Sequence, residues 1–165
     1  MEAFLRLYSS VHRGAGYASA VSTAAYEQAR QQIARFAGAG PDDVAVLTRN
    51  TTDALNLLAG AVPGRVVHLD LEHHANLLPW RRRTAVAARS TVAGTLAAVG
   101  AELAREPAAL LTVTGASNVT GECLPLAELA ELAHRHGARL AVDAAQLVPH
   151  RVVDMARLGR ATRTT

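Results

Sequence analysis

Short runs of β-branched or apolar residues alternate along this chain with longer Ala- and Leu-rich stretches, and this alternation constrains the fold more than any other feature. Runs of strand length lie at 44–48, 65–69, 84–88, 110–114 and 139–143. Stretches of helical length lie at 19–37, 52–59, 95–105 and 126–136. Strands that alternate with helices favour a parallel sheet with helices packed against it. The sequence therefore predicts a layered α/β fold with a mainly parallel sheet.

The ends of two predicted helices carry matching signals. Gly38 and Gly137 follow the stretches 19–37 and 126–136, where a helix C-terminus often needs a residue with positive φ. His134 and His136 lie in the last turn of the second stretch, where the helix dipole favours positive charge. Both stretches are therefore predicted to end at these glycines.

Composition limits the class of protein. Half of the 165 residues are hydrophobic, which is enough for one core, and neither an internal repeat nor a low-complexity linker divides the chain. We therefore expect one domain or part of one. The net charge is +3, but all 17 basic residues are arginines spread along the chain, and the 4% of aromatic residues offer no stacking platform for bases. Nucleic acid is therefore not an expected partner.

Other features of the sequence argue against an exported or membrane-bound chain. Cys123 is the single cysteine, so no internal disulfide can form. The first residues lack the basic and then apolar pattern of a secretory signal. Charged or histidine residues interrupt every apolar run well before the roughly 20 residues that span a bilayer. We expect a cytoplasmic protein with no membrane partner.

The turn Arg49-Asn50-Thr51-Thr52, between a predicted strand and a predicted helix, has the chemistry of an anion site. Unpaired backbone N–H groups and the positive end of the helix dipole meet at such a terminus, and two threonine hydroxyls add donors. The alternative is that Thr51 only caps the helix. The residue types alone leave both interpretations open.

Glu72, His73 and His74 follow the predicted strand 65–69, at the edge where open α/β sheets place their ligands. An imidazole there can lie flat on an aromatic ring, although a histidine at a strand end is also a common hydrogen-bonded surface or core residue. Adjacent side chains of an extended segment point to opposite sides, so this pair does not predict a metal site.

Asp143 ends the apolar run 139–143, where a carboxylate is costly unless it is paired. A protonated pyridine nitrogen is a suitable partner, because the contact keeps the ring positively charged and able to accept electrons. The alternative is a carboxylate that caps the following turn. Asn118 lies in a Ser-Asn turn that ordinary turn chemistry also accounts for.

Three segments together resemble the enzymes of aminotransferase class V, which depend on pyridoxal 5′-phosphate (PLP): Glu72-His73-His74-Ala75-Asn76-Leu77-Leu78-Pro79-Trp80, Ser117-Asn118-Val119-Thr120-Gly121 and Val142-Asp143-Ala144-Ala145-Gln146. This family includes cysteine desulfurases, kynureninase-like lyases and isopenicillin-epimerase-like proteins. The resemblance extends from residue 8 to about residue 159. It implies a three-layer α/β fold, with a mainly parallel sheet flanked by helices, as a single partial domain: part of the large domain of a fold-type-I PLP-dependent transferase.

The resemblance also assigns roles to residues of this chain. It implies that Thr51 and Thr52 bind the PLP phosphate and that His73 stacks on the ring, with His74, Asn76 and Trp80 as supports of its loop. It implies that Asp143 pairs with the ring nitrogen. Gln146 is expected near the ring hydroxyl, and Asn118 at the same edge or at the substrate carboxylate. His12 and Arg13 match a family pattern near the active-site mouth, where such residues contact substrate or a partner subunit.

The departures from the family pattern concern catalysis. The family holds PLP through a Schiff-base lysine in a Ser-x-His-Lys segment, but this chain contains no lysine, so no catalytic residue is assigned. The C-terminal small domain, which carries the nucleophilic cysteine of desulfurases, is expected to be absent, and Cys123 is expected to be structural. The resemblance implies an amino-acid substrate and a homodimer, with the isolated chain inactive. The alternative is a non-catalytic remnant that binds PLP or phosphate without a covalent bond, or binds another protein.

Overall fold

We describe a computed structural model of the chain, which covers residues 6–12 and 14–159. The internal contacts divide the chain into two compact units, Met1–Leu47 and Thr48–Thr165.

The first unit is built on one long helix, α1 (Tyr17–Phe36). Its two buried serines hold the preceding loop: the Ser9 N–H donates to Ser22 Oγ at 2.9 Å, and Ser19 Oγ donates to the Ser10 carbonyl at 2.8 Å. The helix ends at Gly38, which has φ 68° and donates its N–H to the Arg35 carbonyl. The predicted C-terminal glycine is confirmed.

The predicted strand 44–48 does not form, and that prediction was wrong. Val44 and Val46 are 74% and 62% exposed, so their alternation buries no face. A strand is stable only when a neighbouring strand satisfies its backbone groups, and this segment pairs with none in the part of the chain that the structure describes. Its backbone contact is instead a hydrogen bond from Arg30 Nη1 to the Ala45 carbonyl, at 3.2 Å.

The second unit contains a four-stranded sheet in the order β2-β1-β3-β4, in which every neighbouring pair is parallel. The mainly parallel sheet is confirmed. The last two strands have the predicted bounds, whereas the first two are shorter than predicted. The strands are β1 (Val66–Leu69), β2 (Arg83–Val86), β3 (Leu110–Thr114) and β4 (Arg139–Asp143).

Five helices accompany the sheet: α2 (Thr51–Ala61), α3 (His74–Leu77), α4 (Val92–Arg105), α5 (Leu126–Arg135) and α6 (Met155–Gly159). The helix predicted from residue 95 begins earlier, because Thr91 caps it by accepting the Gly94 N–H. The α5 helix ends before Gly137, which has φ 73°, as predicted. The short α3 and α6 helices were not predicted, because one turn has no periodicity to detect. No helix within residues 6–12 and 14–159 is long and apolar enough to cross a membrane.

The helices cover both faces of the sheet, which gives the expected three layers. On one face, Val67, Leu111 and Val113 pack with Val99 of α4 and Leu129 of α5 in a buried apolar cluster. The opposite face has a smaller cluster, in which residues of β1 and β3 pack with α2 and the α3 region: Val66, Leu110, Leu55 and Trp80.

The α2 side of the sheet is polar towards the carboxyl edge. The register pairs His68 with Thr112, and Thr114 with Asp143, so these four side chains point to the same face. All four residues are buried. Buried polar groups need partners. This row of side chains therefore marks the part of the second unit where chemistry is to be sought.

Candidate functional site

The first turn of α2 is capped by Asn50 and not by Thr51. The Asp53 N–H donates to Asn50 Oδ1 at 2.9 Å, and the Ala54 N–H donates to the Asn50 carbonyl at 3.2 Å. The backbone N–H groups of Thr51 and Thr52 have no acceptor among the described residues. The alternative that Thr51 serves as the cap is therefore wrong, and two backbone donors remain at this terminus.

Charges near this terminus are already partly matched. Arg49 pairs with Asp53, at 2.6 Å between Nε and Oδ2 and 3.0 Å between Nη2 and Oδ1. Thr52 is exposed and Thr51 is half-buried. The unpaired N–H groups and the two hydroxyls thus lie at an accessible helix N-terminus whose acidic residue is neutralised. This arrangement suits a phosphate group.

His73 is the N-terminal cap of α3, and its Nδ1 accepts the Ala75 N–H at 3.2 Å. The bond places the ring proton of neutral His73 on Nε2. His73 is exposed, and its ring centroid lies 6.0 Å from that of His74 at an interplanar angle of 71°. His73 is extended as expected, but His74 is already helical. No cluster of three or more metal-ligating side chains occurs within the described ranges.

Asn76 is the anchor of the turn that carries His73. It is fully buried: Oδ1 accepts the Thr112 hydroxyl at 2.7 Å, and Nδ2 donates to Glu72 Oε2 at 2.7 Å. Its backbone carbonyl accepts the indole N–H of Trp80 at 2.8 Å. Asn76 and Trp80 therefore support the loop, as predicted, whereas His74 is exposed and makes no hydrogen bond to the core.

Glu72 is the site residue that sequence reasoning missed. Only 6% of it is exposed, and its Oε1 is buried without a hydrogen-bond partner in the described structure. Burial raises the pKa of Glu72 to about 7, the charge on Asp143 adds to this rise, and the Thr114 N–H and the Asn76 amide oppose it. The Thr114 N–H does so from nearby, without hydrogen-bond geometry to Oε1. The sequence signal that could have identified Glu72 was an acidic residue between an apolar strand and a helix.

Asp143 ends β4 beside Thr114 and is 6% exposed. Its Oδ1 accepts the Ala145 N–H at 3.1 Å, so it does cap the following turn. That bond occupies one carboxylate oxygen, and no cationic side chain pairs with Asp143 in the part of the chain that the structure describes. A buried carboxylate in this state favours a positively charged partner.

Asn118 and Gln146 are both exposed, in loops that leave the carboxyl ends of β3 and β4. The turn around Asn118 is fixed by Ser117 Oγ, which accepts the N–H groups of Val119 and Thr120 at 3.2 Å each. Neither the Asn118 nor the Gln146 side chain makes a hydrogen bond within the described ranges. Both amides are thus available to a ligand. His12 is exposed in the other unit, and Arg13 lies outside the described residues.

A cavity of about 250 Å³ lies on the opposite side of the sheet, near the starts of α4 and α5. Leu69, Leu96, Leu124 and Leu129 line it together with Thr95. None of the residues predicted for the site takes part. The cavity and the polar row at Asp143 are therefore different features.

Comparisons with known proteins agree with this geometry. Residues 1–160 match the family model of aminotransferase class-V. A cysteine desulfurase of Klebsiella pneumoniae is 40% identical over 166 residues, which cover 92% of this chain and 41% of that protein. The chain thus spans about two fifths of the length of this relative.

Solved structures give the same result. The apo structure of cysteine desulfurase from Thermococcus onnurineus superposes with a TM-score of 0.80 at 31% identity, over 95% of this chain and 42% of that one. A C-DES variant with glycine covalently linked to its PLP cofactor superposes at 0.74 with 21% identity, over 96% of this chain and 46% of that one, which is a likeness of fold. The sheet order, the polar carboxyl edge and the sequence match have one explanation: this chain belongs to the aminotransferase class V family, whose members use PLP.

Proposed function

We propose that this chain is the cofactor-binding part of a PLP-dependent enzyme that transforms an amino acid. The observation that carries the proposal is Asp143: a buried carboxylate at the end of β4, with one oxygen engaged by the Ala145 N–H and no cationic partner in the described structure. The pyridinium nitrogen of PLP supplies the missing positive charge. The donor chemistry of the surrounding residues fits the rest of the cofactor.

The phosphate is proposed to bind at the start of α2. The N–H groups of Thr51 and Thr52 lack acceptors among the described residues, and their hydroxyls add two donors. Helix N-termini with unpaired N–H groups favour anions, because the helix dipole is positive there. Asp53 does not oppose this, since Arg49 neutralises it.

The ring is proposed to lie against His73, whose imidazole is exposed and is oriented by the bond between Nδ1 and the Ala75 N–H. Asn76, itself held by Thr112 and Glu72, fixes the backbone of this turn. The Gln146 and Asn118 amides then serve the ring hydroxyl and the substrate carboxylate. His12 and Arg13 are kept as proposals for contacts with substrate or a partner subunit.

The bound PLP ring supplies an electron sink for the electron pair left on the substrate α-carbon. Asp143 supports this by holding the proton on the ring nitrogen. Residues 1–165 contain no lysine, so they provide no side-chain amine for a covalent bond to PLP, and we propose that they do not turn over an amino acid by themselves. Cysteine desulfuration is the reaction that the relatives' names favour. The whole enzyme is proposed to act in the cytoplasm as a homodimer.

The test is a spectroscopic titration of the chain with PLP. Asp143→Asn should weaken PLP binding about 10- to 100-fold, because the ring nitrogen loses a charge-assisted bond worth about 1.5–3 kcal/mol. The matched control is Asp70→Asn. Asp70 ends the β1 region and accepts the Ala88 N–H at 2.9 Å in the same way, but it is exposed. The control should bind PLP as the unchanged chain does.

Equal PLP affinity of the Asp143→Asn chain and the unchanged chain would contradict the assignment. The phosphate site has its own comparison, which is PLP against pyridoxal. Changing Thr51 and Thr52 to valine removes their hydroxyls and keeps their backbone N–H groups, so it should reduce the preference for PLP while leaving the affinity for pyridoxal unchanged.

The absence of lysine favours one second candidate, a module that binds PLP without a covalent bond. Borohydride reduction of the PLP-loaded chain separates the two. A site that works through a lysine from another chain traps PLP covalently only when that chain is present, whereas a non-covalent module never does.

A further inference from the structure

Two buried carboxyl groups lie near Thr114 at the carboxyl edge of the sheet, and neither forms a salt bridge within the described ranges. Glu72 and Asp143 are each 6% exposed. They act on one another electrostatically, because the charge on Asp143 disfavours ionisation of Glu72. Like charges in a buried site cannot both ionise at low cost. The pair therefore needs either one bound proton or one external cation.

We propose that Glu72 and Asp143 together hold one proton while the site is empty, that Glu72 carries it, and that a cationic ring nitrogen at Asp143 displaces it to solvent. This inference rests on the proposed function, since it assigns Glu72 to the same PLP site as a positioning residue. No other reactant takes part: the proton leaves Glu72 and enters water.

The hydrogen bonds show why Glu72 and not Asp143 carries the proton. Asp143 Oδ1 accepts the Ala145 N–H at 3.1 Å, which stabilises its charge. Glu72 Oε2 accepts from the Asn76 amide, but Oε1 is buried with no partner among the residues that the structure describes. An ionised oxygen without a donor is costly in such a place, and an uncharged carboxyl is less so. Burial accordingly raises the pKa of Glu72 to about 7.

Other titratable groups around Glu72 do not account for this state. Asp143 is the charged side chain that raises its pKa. The other titratable side chains on the neighbouring elements are not among the causes of the raised pKa of Glu72: His68 of β1, His73 and His74 of α3, and Asp53 of α2, which is paired with Arg49.

The proton also affects the turn that stacks on the ring. Glu72 holds the Asn76 amide, and Asn76 holds the α3 turn against Thr112 of β3. Loss of the proton strengthens the bond from Asn76, because an ionised acceptor binds a donor more tightly than a neutral one. Binding of a cation at Asp143 would therefore tighten the His73 turn at the moment when the ring arrives.

The experiment follows the Glu72 carboxyl carbon by NMR in the full 165-residue chain with labelled glutamate. Its resonance is identified by its loss in Glu72→Gln. In the empty chain it should titrate near pH 7. Asp143→Asn should lower that midpoint, and Asp70→Asn should not. Saturating PLP should lower it as well.

A second measurement does not depend on the Asp143 variant folding. PLP binding is measured by calorimetry near pH 6.5 in two buffers of different ionisation enthalpy, which counts released protons. The unchanged chain should release about three quarters of a proton more than Glu72→Gln, because a group with a pKa of about 7 is about three-quarters protonated at that pH. A merely structural role of Glu72 would change the affinity but leave the proton count unchanged.

The outcomes separate this inference from the proposed function. If Glu72 of the folded chain titrates near 4.5, or if its midpoint ignores Asp143→Asn in a folded variant, the inference is overturned. PLP binding with equal proton release in both chains also overturns it, while the proposed function stands. If PLP does not bind, the proposed function and the displacement step fail together, and the ligand-free titration still decides whether the two carboxyl groups hold one proton.

Discussion

Buried charged side chains are fully paired at the amino edge of the sheet but not at its carboxyl edge. At the amino edge, Arg65 is 6% exposed and all its nitrogens have acceptors: Nη1 donates to Glu102 Oε1 at 2.6 Å and to Thr84 Oγ1 at 3.2 Å, Nε donates to the Pro107 carbonyl, and Nη2 donates to the Glu102 and Glu106 carbonyls. At the carboxyl edge, Glu72 Oε1 has no partner and Asp143 has no cation within the described ranges.

The contrast separates structural from functional polarity. Arg65 binds the last carbonyls of α4 and so completes a helix end that would otherwise be unsatisfied. A network in which every donor and acceptor is paired has no group left to bind a ligand. Glu72 and Asp143 do have such groups, and unsatisfied buried groups are rare and concentrate where a protein binds something. Arg65 therefore stabilises the fold, whereas Glu72 and Asp143 keep capacity for a ligand.

The largest expected effect breaks the amino edge. Arg65→Met leaves Glu102 and three carbonyls without their buried donor, and it should destabilise the chain by about 3–5 kcal/mol. Urea unfolding measures this. The control is Arg105→Met, which removes another bond to the same Glu102 oxygen, at 2.7 Å, from an exposed side chain. If Arg105→Met lowers the free energy of unfolding as much as Arg65→Met does, burial of the arginine is not what makes Arg65 important.

The second prediction concerns the carboxyl edge and its dependence on pH. The pKa of Glu72 is raised from 4.5 to about 7, so the folded chain binds this proton more tightly than the unfolded chain. The stabilisation is complete below pH 4.5 and is lost as the pH rises through 7. The loss approaches about 3 kcal/mol, at about 1.4 kcal/mol for each pKa unit.

Glu72→Gln removes the titrating group and keeps an acceptor for Asn76. Its unfolding free energy should fall less than that of the unchanged chain between about pH 5 and pH 8, as measured by urea unfolding at each pH. Parallel pH profiles for the two chains would mean that Glu72 titrates normally. The energetic cost of buried charge would then differ less between the two edges than their hydrogen bonds indicate.

The smallest expected change in stability also concerns the amino edge, where Gly137 precedes β4. Gly137 has φ 73°, and a Cβ there would meet no atom within 4 Å, so Gly137→Ala tests backbone conformation alone. It should cost about 1 kcal/mol. Gly60 is the control, because it also has open space but lies inside α2. Gly60→Ala should stabilise the chain by up to about 1 kcal/mol, and a stabilising Gly137→Ala would contradict the interpretation.

Much of the fold was readable because its signals are local. The bounds of β3 and β4 follow from apolar runs, and the end of α5 follows from Gly137, where a positive φ favours glycine. The failure at 44–48 has the opposite cause. Val44 and Val46 satisfy the strand pattern, but pairing depends on a neighbouring strand that the alternation of residues cannot specify.

The candidate site was only partly readable for a related reason. Motif resemblance named His73 and Asp143, and turn chemistry pointed to the start of α2. The sequence could not identify Asn50 as the helix cap or Glu72 as a buried acid. Both depend on the positions of atoms in the folded chain. The roles of all the site residues stay predictions: His12, Arg13, Thr51, Thr52, His73, Asn118, Asp143 and Gln146.

The sequence by itself determined the family, the parallel layered architecture and the side chains at each strand end, because these depend on residue type, period and short motifs. Only the tertiary structure decided which charges are satisfied. Thr112 lies 36 residues from Asn76 in the chain, and Glu102 lies 37 from Arg65, yet each pair makes a hydrogen bond of 2.7 Å or less. Hydrogen bonding and desolvation act over a few ångströms in space. The raised pKa of Glu72 and the completeness of the Arg65 network are therefore properties of the packed chain.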